Sequence, residues 1–421
     1  MAQSRTAPPA TGASFAQWRL LALLVAAVFI NYIDRGNLSV SAQDVVKELN
    51  LDQAQMGKLL SSFFWTYAAC QLLSGWLIDK FDVRTVFALG FLLWSLATAA
   101  SGWVHDFNTF LVCRLILGFG ESVAYPAFSK IIASGFGEDQ RGKANAFIDA
   151  GSKMGPALGT YLGGMIVATW GWRSLFQILG FGALIWLPFW LLWMPKLDKT
   201  KVEAKPAYVP GMLEILRHRS VWGTFFGLFA INYGWYFMIT WFPSYLVKVR
   251  HFSTERMAVM GSIPFVVLGI AAMFAGWWAD RLIATGGTPT KIRKRFLVFG
   301  MVMNTLLLPA GLAESDLVSM SLFMVACGAF GFTTANHWAV TQTMAGPAAA
   351  GKWTGMQNAF GNLAGVTAPW VTGVIVERTG SFYLAFVLVA CVVVMGALSF
   401  AFLIGEIKQI DWQPKAAVPG R

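Results

Sequence analysis

Charge is what this chain has least of. Only 13% of its 421 residues are charged, 56% are hydrophobic, and the mean hydropathy is +0.57. A soluble globular domain carries about 25% charged residues, so this chain is short of the polar surface that water demands. Aromatics at 15% and 42 glycines suit a polytopic helical membrane protein. Cysteine is scarce as well: Cys70, Cys113, Cys327 and Cys391 all lie in apolar stretches. They have neither metal-ligand spacing nor an evident disulfide partner, and they read as small core residues. There is no nucleophile–base pair, metal cluster or phosphate loop, so no catalytic residue, metal or cofactor is expected. The amino terminus, MAQSRTAPPATGASFAQ, lacks a signal-peptide layout, and the apolar run after it reads as a retained span. Acidic residues are the rarer sign, 21 against 32 Lys and Arg, for a net charge of +11. In a soluble protein that would suggest nucleic acid. Here basic loops on one side of a membrane account for it, and no nucleic-acid partner is expected.

Crossing a bilayer takes about 20 mostly apolar residues. Twelve such segments are read, near 18–43, 56–79, 84–104, 108–133, 143–169, 173–194, 220–246, 256–281, 294–313, 317–343, 352–376 and 382–405. The fold class is therefore an all-α membrane protein of twelve helices in two six-helix halves. The expected divisions are a tail 1–17, a first half 18–194, a linker 195–219, a second half 220–405 and a tail 406–421. Lys80, Arg84, Arg141, Lys143, the Lys196–Arg219 linker and the Lys291–Arg295 cluster fall on one side. Asp44, Glu48, Asp52, Asp106, Glu314 and Asp316 fall on the other, with Lys248, Arg250 and Arg256 against the trend. The bias expects both termini, tails and linker on the cytoplasmic side of a bacterial inner membrane.

The halves echo each other. GWLIDKFDVR (Gly75–Arg84) closes the second span and GWWADR (Gly276–Arg281) the eighth. RGKANAFIDAG (Arg141–Gly151) opens the fifth and AGKWTGMQNAFG (Ala350–Gly361) the eleventh. Parallel six-helix repeats enclose a site at their interface and work by rocking one half against the other.

Ionisable residues within the spans carry the functional reading. A first span from Trp18 that stopped at Ile33 would be about 24 Å long at 1.5 Å per residue, short of the roughly 30 Å hydrocarbon core. Continuing to Val40 or Ala42 places Asp34 and Arg35 of FINYIDRGNLS inside the helix, although a helix end in the headgroup region would also hold them. Such residues are costly in a membrane and mark function by default. In LVCRLILGFGESVAYP, Arg114 and Glu121 are two turns apart and share a face. A nearby arginine keeps a buried carboxylate ionised while desolvation favours its protonated form, so the pair suits either proton exchange or a structural salt bridge. Asp149 and Lys153 form an i,i+4 pair that either neutralises itself or lets Lys153 hold an anion. Gly151, Gly155, Gly159 and Gly163 make a stripe for close helix packing. The second half carries amides and aromatics instead: Asn232, Asn336, His337, Trp338, Gln342, Asn358 and Asn362.

These residues resemble a known family. The twelve spans, the basic linker and GWLIDKFDVR are similar to the major facilitator superfamily, whose loop between helices two and three has this Gly-x-x-x-Asp-Arg/Lys-x-x-x-Arg pattern. NYIDR, RLILGFGESVAYP and GWRSLF resemble its anion:cation symporter branch, which includes bacterial carriers of galactonate, hexuronates, glucarate and some aromatic acids, and animal organic-anion carriers. The resemblance implies that Arg35 partners a substrate carboxylate, with Tyr32 and Tyr67 lining the cavity. It implies proton coupling at Asp34 and Glu121, with Arg114 paired to them. Asn358 is implied to meet substrate hydroxyls, Trp338 to lie near the site, and Asp79 and Arg84 to form a gating loop. Helices seven, eight and ten match less closely. GWWADR runs into LIATGGTPTK before its basic cluster, which leaves an equivalent gate there open.

The expected function is proton-coupled import of a small organic anion, such as a sugar acid, by alternating access. The expected partners are the anion, protons and the lipid bilayer. An uncoupled or exchange-type carrier uses the same residues, and a non-transporting carboxylate sensor is the reading from another class. Nothing in the sequence names the anion, the proton stoichiometry or the oligomeric state.

Overall fold

The computed structural model describes residues 14–136, 138–194, 208 and 210–412. Side chains at positions 72, 79, 133, 138–143 and 347 lie outside that description, so the expectation for Asp79 does too, as do the lysines of the linker before 208 and the basic pair Arg141 and Lys143.

Twelve helices cross the molecule: α1 Phe15–Val40, α2 Gln53–Lys80, α3 Val83–Trp103, α4 107–135, α5 138–170 and α6 172–193 in the first half. The second half holds α7 Arg219–Lys248, α8 Thr254–Ala284, α9 Pro289–Leu312, α10 Asp316–Gly346, α11 Ala348–Thr379 and α12 Tyr383–Leu403. Among the described residues, nine segments are apolar and long enough to span, and one of them, Ala144–Trp193, contains both α5 and α6. The two that fall short are α2 and α7. Both line the interface between the halves, where Ser61, Thr66, Tyr67 and Gln71, or Tyr233, Trp235, Tyr236 and Thr240, replace aliphatic residues.

Local chemistry sets the ends. Ser14 and Gln17 form a capping box at the start of α1, Asp52 and Gln55 another at α2, and Asp106 caps α4 through the Thr109 N–H at 2.9 Å. Gly171 (φ 80°) and Gly346 (φ 61°) turn α5 into α6 and α10 towards α11 in a left-handed conformation that only glycine adopts cheaply. α4, read as continuous from sequence, breaks at Ser122–Val123, directly after Glu121.

The glycine stripe of α5 packs on α1. A β-carbon at Gly151 would come 2.8 Å from Val28, one at Gly155 2.6 Å from Tyr32, and one at Gly159 3.2 Å from Ile33. Backbone thus meets backbone, and α1 is held with its polar turn against the interior.

One face of the bundle carries the connections 41–52, 104–106, 249–253 and 380–382, and there the halves close on each other. Gly57 of α2 meets Pro369 and Gly373 of α11, and a β-carbon at Gly373 would lie 2.5 Å from the Gln53 carbonyl. The Gln53 N–H donates to Glu377 at 2.8 Å, and the Ser39 hydroxyl to the Thr240 carbonyl at 2.7 Å. An arginine ties down the last carbonyls of a helix in each half: Arg173 bonds Gly102 and Val104 after α3, and Arg250 bonds Ala310 and Ala313 at α9. Arg173 also pairs with Glu48 at 2.9 Å, and the Trp172 indole, assisted by Arg173, holds that carboxyl below its ordinary range. Towards the opposite face, β-carbons at Gly75 of α2 or Gly351 and Gly355 of α11 would meet nothing within 4 Å. The close backbone contact between the halves does not extend to these three glycines.

Candidate functional site

Towards the face where the halves meet, α1 turns four polar residues into the apolar interior within two helical turns. Asn31, Asp34, Arg35 and Asn37 are each no more than 4% exposed. Asp34 and Arg35 lie within α1, which continues to Val40, and both are buried.

Arg35 reaches α4, where its Nε lies 3.1 Å from Glu121 Oε2 with both side chains buried. Its guanidinium also sits over the rings of Tyr67 at 4.7 Å, Tyr32 at 4.8 Å and Phe63 at 5.1 Å. A planar, weakly hydrated cation suits such an aromatic box. The Tyr67 ring stacks on Phe63, and the Tyr32 hydroxyl is 3.2 Å from that of Tyr125. Gly36, next in the chain, is buried but has no atom within 4 Å of where a β-carbon would stand, so there is space beside the arginine.

The pairing differs from the one the resemblance implied. Arg114 is buried beneath the site, but its Nε donates to the Leu59 carbonyl at 3.2 Å and its guanidinium rests on Phe63 at 5.4 Å. It remains within electrostatic reach of Glu121 and Asp34. The direct partner of Glu121 is Arg35, from another helix. Asp34 does not pair with its neighbour Arg35, since adjacent residues point about 100° apart on a helix. It accepts instead from the Asn37 amide, one turn on, at 3.1 Å.

Seven atoms of this cluster are buried without a partner among the described residues: Asn31 Nδ2 and Oδ1, Asn37 Oδ1, Arg35 Nη2, Arg114 Nη1, Glu121 Oε1 and Asp34 Oδ2. A buried polar atom left unpaired costs about 1–3 kcal/mol, more when charged. Their concentration around one ion pair marks a place where a ligand, a proton or water is handled.

The second half supplies neutral groups. Asn358 of α11 donates to Gln71 Oε1 of α2 at 3.2 Å, a hydrogen bond from one half to the other. Its carbonyl accepts from Asn362, whose side chain accepts from the Tyr236 hydroxyl at 3.0 Å. The Tyr236 ring packs on Phe64 at 4.4 Å and lies within electrostatic reach of Arg35. Deeper in that half, Thr224, Trp353, Gln357 and Thr341 bond to one another across α7, α10 and α11. The Trp338 ring packs on His337 at 4.7 Å. Lys153 pairs with Asp149 at 3.4 Å and reaches over the Trp235 ring at 5.3 Å. Arg84 donates to the Leu191 carbonyl at the end of α6. In the second half, Asp280 of GWWADR pairs with Arg293 at 3.1 Å, and Arg293 also bonds Asn336 at 3.2 Å.

Tyr125, Tyr236, Gln71, Asn31 and Asn37 were not singled out by sequence. The last two carried a readable signal, three residues either side of Asp34 and so on its face. The others needed knowledge of which helices adjoin. No group of three or more His, Cys, Asp or Glu among the described residues could hold a metal ion.

A family model described as Major Facilitator Superfamily matches residues 24–289, more than half of the chain. The chain belongs to that superfamily. It is 29% identical to a probable galactarate/D-glucarate transporter of Bacillus subtilis (strain 168), over 96% of this chain and 95% of the relative. It is 30% identical to a hexuronate transporter of the same organism, over 90% and 92%. Among solved structures, the fold matches a bacterial homologue of the human lysosomal transporter Spinster in an inward-facing, occupied conformation. That match has a TM-score of 0.79 and 16% identity, and covers 93% of this chain and 97% of the other. The twelve helices in two halves are those of this superfamily, and the chain is a multi-pass membrane transporter, not an enzyme.

Proposed function

We propose that this superfamily member imports a small sugar acid together with protons, using Arg35 as the carboxylate seat and Glu121 and Asp34 as proton carriers. The buried Arg35–Glu121 pair is the observation that carries the reading. Glu121 occupies the arginine much as a substrate carboxylate would. Protonating Glu121 frees Arg35 for the substrate, and losing the proton lets Glu121 compete the substrate off. Proton and anion therefore favour the same state of the site, which is what symport requires. Asp34 adds a second exchangeable proton, held on Asn37.

Energetics agree. Moving an anion inwards against an inside-negative potential costs about 2.3 kcal/mol per charge per 100 mV, which at least one accompanying proton cancels. With basic loops cytoplasmic, as the charge bias expects, both termini would lie inside and the face closed by Gly57, Gly373 and Glu377 would be periplasmic. The names of the relatives, transporters of galactarate, D-glucarate and hexuronate, support a hydroxylated acid as cargo, and the amide chain Gln71–Asn358–Asn362 suits its hydroxyls. Purified protein in proteoliposomes should accumulate radiolabelled sugar acid when the outside is made acidic. Uptake indifferent to that gradient would replace symport by an uncoupled or exchange carrier.

A further inference from the structure

The outer surface of the second half carries a groove between α7, α11 and α12. It encloses about 630 Å³ and is lined by Phe226, Phe229, Phe360, Met395, Leu398 and Phe402, among others. Phe402 is 71% exposed, and Phe226, Met395 and Leu398 are exposed too, so the groove opens sideways, towards lipid. Its one hydroxyl, that of Ser399, is already spent on the Gly223 carbonyl at 2.9 Å. A hydrophilic ligand would find no hydrogen bond there. α7 leads the groove to the end of the span. Arg219, Trp222, Phe226 and Phe229 stand three, four and three residues apart and so share a face. The three rings meet Phe360 of α11 at 6.4, 5.5 and 6.0 Å, which makes this the groove's own face, with Arg219 at its mouth. From Arg219 to Ala230 the helix rises about 16 Å, half of the roughly 30 Å hydrocarbon core and thus one leaflet.

A second cation arrives from α9. The Lys294 ammonium donates to the Ala401 carbonyl at 3.2 Å, in a π-helical turn, Ser399–Leu403, that widens α12 beside Phe402. Lys294 lies within electrostatic reach of Arg219. Neither cation has an acidic partner among the described residues, and Glu406, just past α12, is taken by Lys408 at 2.6 Å. Like charges so placed repel unless an anion joins them. An apolar groove one leaflet deep with two cations at its mouth matches an amphiphile of net negative charge. A zwitterionic headgroup would bring an ammonium of its own to the two cations.

We propose that Arg219 and Lys294 hold the phosphate of one anionic phospholipid whose acyl chain fills the groove between α7, α11 and α12. The guanidinium suits two phosphate oxygens and the ammonium acts as a point charge beside it. The site shares no residue with the Arg35 box and does not depend on what the transporter carries.

Phosphatidylglycerol and phosphatidylethanolamine with identical chains make the matched probes, because they share the phosphate and differ in net charge. Each is offered to purified, delipidated full-length protein in detergent, and retained copies are counted by native mass spectrometry. One phosphatidylglycerol should be held at least about tenfold more tightly than phosphatidylethanolamine, the effect of one charge-assisted contact. Phosphatidylglycerol with a photoreactive acyl chain should label α7 and α12 around Phe226 and Phe402. Arg219→Gln combined with Lys294→Gln should abolish the preference and leave phosphatidylethanolamine within about twofold. Excess inorganic phosphate should not displace the lipid. Equal retention of the two lipids, label spread evenly around the lipid-facing surface, an intact preference in the double variant, or displacement by phosphate alone would each overturn the site. The first two measurements use unmodified protein, so a misfolded variant does not decide the matter.

Discussion

The two halves of this transporter share a fold and divide its chemistry. In the first, the helix core holds Asp34, Arg35, Arg114 and Glu121, all buried, with four polar atoms unpaired. In the second, the buried polar side chains are neutral amides, hydroxyls and rings; some bond one another, as in Thr224–Trp353–Gln357–Thr341, while Tyr233, Ser244, Asn304 and His337 each keep one unpartnered atom among the described residues. Its arginines sit nearer the helix ends, where Arg250 and Arg256 meet Asp316 and Arg293 meets Asp280. An ion pair in a low-dielectric interior responds strongly to a proton or an anion, whereas a neutral network responds to shape. On the proposed reading, the difference assigns coupling to one half and fit to the other.

The comparison can be broken at its strongest point first. Arg35→Ala leaves Glu121 uncompensated and removes the carboxylate seat, and uptake should fall by at least about a hundredfold, from ~3–5 kcal/mol for breaking a buried pair. Arg35→Lys keeps the charge but not the planar contact with Tyr32 and Tyr67, and should still lose about tenfold. Near-normal uptake by either variant would remove Arg35 from the site.

Glu121→Gln separates coupling from binding. Gradient-driven accumulation should drop by about tenfold or more, as expected for a coupling free energy of ~1–3 kcal/mol. Exchange of internal for external substrate should be far less affected. Equal loss in both assays would reduce the carboxylate to a structural partner of Arg35.

Asn358→Leu tests the neutral half. The half-saturation concentration should rise about tenfold through a lost hydroxyl contact, by the same factor with and without a proton gradient. A change in gradient dependence would show that coupling extends into the second half. The smallest effect is expected deeper in that half, at Trp353→Phe. Losing the indole bond to Thr224 should cost about 1 kcal/mol of stability, read as a lower melting temperature in detergent, with gradient dependence unaltered.

Much of this division was legible in the sequence. Span length favoured Asp34 and Arg35 inside the first helix, with a helix end as the alternative, and the four-residue spacing of Gly151 to Gly163 announced a helix contact. The identity of the contacted helix, α1, was not readable, because spacing describes one surface and not its partner. For the same reason the sequence placed Arg114 with Glu121, two turns along one helix. The structure brings Arg35 to Glu121 from across the bundle, a pairing that depends on how α1 lies against α4. The break after Glu121 also left no signal, since Ser122 and Val123 are ordinary helix residues. Tyr236 and Gln71 lacked a visible role because their partners stand on other helices, Asn362 within the same half and Asn358 in the opposite one.

The central claim is that anion and proton move together through the first half. It is tested most directly by following external pH in lightly buffered proteoliposomes when sugar acid is added, with the membrane potential clamped. The account predicts alkalinisation that begins with substrate uptake in the unmodified protein and is lost in Glu121→Gln even where exchange persists. Substrate accumulation without any proton movement would contradict it.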